Sequence, residues 1–83
     1  EEMIITIFYS KFTGEIYSST LAPNGYDYNR FGKFAEDMKQ ILDILYIEGN
    51  ETLYMSLKNY YVDLETKTLV LKDMGAINYI NKE

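Results

Sequence analysis

Between residues 28 and 47, apolar side chains recur at steps of three and four: Phe31, Phe34, Ala35, Met38, Ile41, Leu42 and Leu45. That spacing sets them on one face of a helix, with Arg30, Lys33, Glu36, Asp37, Lys39, Gln40 and Asp43 mainly on the other. Everything on either side is short, β-branched or aromatic, and punctuated by turn residues. The pattern predicts one long amphipathic helix over 28–47 with a small sheet laid against it. Asp27 is placed to cap that helix, because its carboxylate can accept from the unpaired amides of the first turn. Gly32 falls inside it, at a cost of about 1 kcal/mol relative to alanine. Its expected reason is close packing against the sheet, or the approach of a partner's backbone. Gly49 or Asn50 is expected to end the helix in the left-handed conformation.

The flanking segments read as strands. Residues 3–9 (MIITIFY) put Ile5, Ile7 and Tyr9 on one face and Ile4 and Phe8 on the other. Apolar residues on both faces predict a central strand, or an edge covered by a partner. Residues 10–14 (SKFTG) make a turn, residues 15–21 pair back, and Pro23-Asn24-Gly25 redirects the chain. Residues 52–57 are read as a strand, with one or two helical turns as the alternative. Residues 60–64 and 68–72 form a hairpin in which Tyr60, Val62 and Leu64 alternate against Leu69 and Leu71. The expected architecture is α+β, a small antiparallel sheet of order β-β-α-β-β-β on one amphipathic helix. Residues 1–83 form a single domain in this reading, with 73–83 as a docked helix or a C-terminal arm. Phe34, Met38, Ile41 and Leu45 are expected in the core against Ile5, Ile7, Val62 and Leu69, so that Ile41→Ala would cost about 2–5 kcal/mol.

Two stretches echo each other. FYSKFTGEIYS, from Phe8, aligns without gaps on YVDLETKTLVL, from Tyr61, matching Ser10 to Asp63, Thr13 to Thr66 and Gly14 to Lys67. Each sets a short polar acceptor ahead of a threonine and then a left-handed position, the pattern of a type I turn with a G1 bulge. Two hairpins with the same turn geometry are expected, with Lys67 under a strain that Gly14 avoids.

Chemistry is constrained mainly by what the chain lacks. It has no histidine and no cysteine, which removes the commonest general base, thiolate metal sites and disulfides. Its serines, Ser10, Ser18, Ser19 and Ser56, have no histidine to activate them. No phosphate-cradling loop, dinucleotide fingerprint, calcium loop or zinc spacing occurs. Glu36 and Asp37 are adjacent on the expected helix and point apart, a poor acid–base pair. Lys33–Asp37 and Lys39–Asp43 read as solvated helix pairs. An enzyme is not expected, and neither is a cofactor or a metal. The net charge is −5, and the basic residues are dispersed, so direct nucleic-acid binding is not expected either. No apolar run approaches membrane-spanning length, and the start carries no secretory signal, so the expected location is the cytoplasm. Glu1 and Glu2 precede Met3 and are read as an addition ahead of the native start.

Tyrosine is the positive signal, at nine of 83 residues. Most would fill half-buried sheet and rim positions with the hydroxyl in water. Together they exceed what a small core needs, and tyrosine is favoured at interfaces. Tyr26 and Tyr28 at the helix entry, and Tyr60 and Tyr61 on successive faces of a strand, are the expected partner contacts, with Glu36 and Asp37 as acidic surface.

The stretches KFTGEIYS and NYYVDLETKTLVLKD resemble hairpins of small proteins from tailed phages that infect low-GC Gram-positive bacteria. The resemblance implies a viral protein acting in the host cell. It would be an inhibitor or adaptor bound to a host protein, such as a defence or nucleic-acid-processing enzyme. The alternative is a self-assembling virion or tail accessory, and a nucleotide-binding module comes third. The expected partner is thus a host protein or a second copy of the chain, with no membrane involved.

Overall fold

The structure, a computed structural model, describes residues 3–72. Strand β1 (Met3–Ser10) leads through a turn to β2 (Ile16–Ala22). A 3-10 segment (Tyr28–Phe34) runs into helix α1 (Ala35–Ile41), which passes directly into β3 (Leu42–Gly49). Helix α2 (Glu51–Met55) and a 3-10 turn (Leu57–Asn59) then lead to the hairpin of β4 (Tyr60–Asp63) and β5 (Thr68–Leu71). Three strands make one antiparallel sheet in the order β2-β1-β3, and β4-β5 make a second. The α+β class and the antiparallel pairing are those expected.

β1 is the central strand, as its two apolar faces require. Alternation sends Ile5, Ile7 and Tyr9 to one side, where they form the core with Leu57 and Val62. Leu53, Tyr54, Leu64 and Leu69 from α2 and the second hairpin pack around them. On the other side, Phe8 meets Phe31 edge-on at 4.9 Å and Tyr28 at 6.0 Å. Thr6, fully buried there, accepts a hydrogen bond from the Tyr26 amide at 3.0 Å. The sheet is therefore sandwiched, with the 28–41 helical segment on one face and the α2–β5 segment on the other. Each fully buried Ile or Phe contributes about 1.5–3 kcal/mol.

Several elements lie elsewhere than expected. The helix over 28–47 stops at Ile41, and its last six residues belong to β3, which pairs with all of β1 from Met3↔Gly49 to Ser10↔Leu42. Residues 52–57 fall largely in α2 rather than in a strand, so the order is β-β-α-β-α-β-β. Asn50 does not end a helix. It caps the start of α2, its side chain accepting from the Leu53 amide at 3.0 Å. Asp27 caps the 3-10 segment as expected, accepting from the Asn29 amide. Gly32 packs against nothing; its φ of 60° and ψ of −126° break the helical path, a conformation that glycine alone reaches easily. The helix contributes less core than expected. Phe34 is 52% and Ile41 44% exposed, whereas Met38 and Leu45 are half-buried. Of the expected core, Ile5, Ile7 and Val62 are buried, and Leu69 packs against them. The expectation for 73–83 lies outside the described residues.

Candidate functional site

The two echoed turns have the same geometry. At the first, Ser10 Oγ accepts from the amides of Phe12 and Thr13 at 3.0 and 3.1 Å. At the second, Asp63 Oδ1 accepts from those of Glu65 and Thr66 at 2.9 and 3.2 Å. Gly14 (φ 82°) donates to the Ser10 carbonyl, and Lys67 (φ 59°) to that of Asp63, at 3.0 and 2.7 Å. That closure makes each a longer loop than the expected three-residue turn with a G1 bulge. The turns also tie the hairpins together. The Gly14 carbonyl accepts from the Val62 amide at 2.8 Å, and a Cβ at Gly14 would run into the Val62 carbonyl oxygen.

Beyond that tie a cleft of about 520 Å³ lies between β2 and the α2–β4 segment. Tyr17, Ser18 and Ser19 line it from β2; Tyr54, Met55, Lys58 and Tyr60 face them, with Lys72 from the end of β5. Tyr17 reaches this position through a bulge. The β1–β2 register steps from Phe8↔Ser18 to Tyr9↔Ile16, leaving Tyr17 as the extra residue, 59% exposed, with its ring 6.4 Å from that of Phe31.

β2 also presents an open backbone edge beside the cleft. The Lys11 amide bonds the Ile41 carbonyl, and this sets the odd-numbered residues of β1 to bond β3 and the even-numbered ones to bond β2. Ser19 and Leu21, opposite Ile7 and Ile5, therefore point their amides and carbonyls away from β1. Among the described residues nothing bonds them. Neither Lys58 nor Lys72 lies within ion-pair distance of a carboxylate among those residues.

The residues singled out from sequence do not converge. The backbone of Tyr26 is held on the Thr6 face by Thr6 Oγ1 and by the Tyr46 hydroxyl, which donates to its carbonyl at 2.7 Å. The Arg30 guanidinium lies 5.6 Å from the centre of its ring. Tyr28 is half-buried and donates its hydroxyl to the Leu42 carbonyl at 2.8 Å. Burial, then the Asp43 carboxylate, pushes its pKa above the ordinary tyrosine range. Tyr60 lines the cleft from the opposite side of the sheet, and Tyr61, the next residue of a pleated strand, is directed away from it. Glu36 is exposed and pairs with Lys39 at 3.3 Å, and Asp37 is exposed beside it. The expected Lys39–Asp43 pair does not form, because the helix has ended; Asp43 instead faces Lys67 at 4.0 Å. Sequence reading missed Tyr17, Tyr54, Lys58 and Lys72 as a group. Only packing of α2 and β4 beside β2, with the Lys72 amide bonded to the Asn59 carbonyl, brings them together.

Among the described residues no cluster of Asp or Glu is arranged to hold a metal ion, and no helix is long and apolar enough to cross a membrane. Compared with known families, with functionally described proteins and with solved structures, the chain matches none.

Proposed function

We propose that this chain is a protein-binding domain that performs no covalent chemistry and seats its partner in the cleft beside β2. The observation that carries the reading is the grouping of Tyr17, Tyr54 and Tyr60 around a strand edge whose hydrogen-bonding groups are open. Tyrosines on a rigid scaffold give large contact area at small entropic cost, which makes them strong anchors. The resemblance of the two hairpin stretches to small phage proteins extends the proposal. On that ground the partner is a host protein, and the domain acts as an inhibitor or adaptor in the host cytoplasm.

A second reading, self-assembly as a virion accessory, draws support from β3. By the same alternation, Ile44, Tyr46 and Glu48 direct their backbone groups outward, without partners among the described residues.

The test is capture of a partner from host lysate with the tagged chain, then calorimetry on the purified pair. Tyr17→Ala and Tyr60→Ala are expected to weaken binding by at least about 1 kcal/mol, roughly fivefold, without loss of folding. Raising salt from about 0.05 to 0.5 M should weaken it only modestly, since screening acts on exposed charge. Unchanged affinity in both variants would refute the cleft. Concentration-dependent assembly in sedimentation, lost on Tyr46→Pro, would favour the second reading.

A further inference from the structure

We infer that the cleft takes an extended, acidic segment of a partner protein, which adds as a strand along the outer edge of β2. This rests on the protein-binding reading and specifies its chemistry. Ser19 and Leu21 offer amides and carbonyls two residues apart on one side of β2, a spacing of about 6.6 Å. An extended chain repeats its own donors and acceptors at that interval, so the open edge is complementary to another strand. Successive side chains of such a strand would fall on the two faces of the sheet, one set towards Tyr54 and Tyr60 and the other towards the Tyr17 ring on the Phe31 side.

Charge then selects among extended chains. The cleft gathers Lys58 and Lys72 against the single carboxylate of Glu15, in a chain whose net charge is −5. The local sign is thus opposite to that of the whole molecule. Both ammonium groups lack a carboxylate partner among the described residues, which leaves them available to a ligand. An acidic strand satisfies the edge, the rings and the lysines together, whereas a basic one would set like charges against each other.

Fluorescence anisotropy with the full chain and a short fluorescein-labelled peptide of alternating valine and glutamate tests this. The expected result is saturable binding in the micromolar range, at least about tenfold weaker when lysine replaces glutamate. Methylating the peptide's backbone nitrogens along one edge should abolish binding, and along the other edge leave it unchanged. Ser19→Pro removes one outward amide from an edge strand, where proline is tolerated, and should also lose at least about tenfold. The methylated peptides test the same bond without altering the protein, should that variant not fold. Lys58→Ala with Lys72→Ala should erase the preference for glutamate over lysine.

Equal binding of acidic and basic peptides, or indifference to methylation on either edge, would overturn strand addition. If no acidic peptide binds while Tyr17→Ala and Tyr60→Ala still weaken a captured partner, strand addition falls and the protein-binding reading stands. Binding of an oligothymidylate in the same cleft, with every peptide silent, would overturn both.

Discussion

Gly14 and Lys67 occupy equivalent places in two turns of one shape, yet only Gly14 is spared the cost of a side chain at positive φ. Gly14→Ala meets that cost and also the Val62 carbonyl, so it should destabilise by at least about 2 kcal/mol in urea unfolding. Lys67→Gly relieves the strain and gives up only a surface ion pair at 4.0 Å; a gain of about 1 kcal/mol is expected. Thr20 carries the opposite kind of defect. Its hydroxyl is buried with no hydrogen-bond partner among the described residues. Thr20→Val keeps the shape and removes the unsatisfied group, so the thermal midpoint should rise, by an equivalent of about 1 kcal/mol. The turns were legible in sequence because Ser10 and Asp63 act within a few residues of their own backbone. The Thr20 defect was not, because it depends on what packs across the sheet.

At the scale of elements, legibility followed the range of the interactions. β1, β2 and the β4–β5 hairpin announce themselves by alternation and by turns that bracket them. β3 does not, because ILDILYI satisfies a helical period and a strand covered on both faces equally well. What decides it is remote in sequence. β1 has β2 on one edge, and among the described residues it is 42–49 that pair along the other. The consequence is measurable in the core. Ile41→Ala, at a residue 44% exposed, should cost less than about 1 kcal/mol, against the 2–5 kcal/mol expected from the helical reading. Ile7→Ala, fully buried between the two outer layers, should cost about 2–5 kcal/mol in the same denaturant titration.

At the scale of the whole molecule, Tyr9 from β1, Tyr28 from the 3-10 segment and Asp43 from β3 form one electrostatic group. Burial first, and Asp43 second, holds the pKa of both Tyr9 and Tyr28 above the ordinary range. Below about pH 9, a unit under the ordinary tyrosine value, both rings are protonated whether the chain is folded or not, and their stabilisation is fully present. Above it the unfolded chain loses these protons first, so stability falls as pH rises towards the folded values. Thermal midpoints should therefore be flat from neutral pH to about pH 9 and decline beyond it, and Tyr9→Phe should shallow the decline. The cleft belongs to this scale too. Its residues come from β2, α2, the following 3-10 turn, β4 and the end of β5, and no local pattern links them.

The position of β1 also bears on how the chain is made. β1 leaves the ribosome before both of its neighbours, and β2 follows soon enough to cover one edge. The other edge must wait for β3, more than thirty residues after β1 ends. Meanwhile MIITIFY, uncharged, free of proline and rich in β-branched residues, is an open template for another nascent chain. Slowing β3 docking, for instance with Leu45→Ala, should therefore lower soluble yield more than its equilibrium cost alone would suggest.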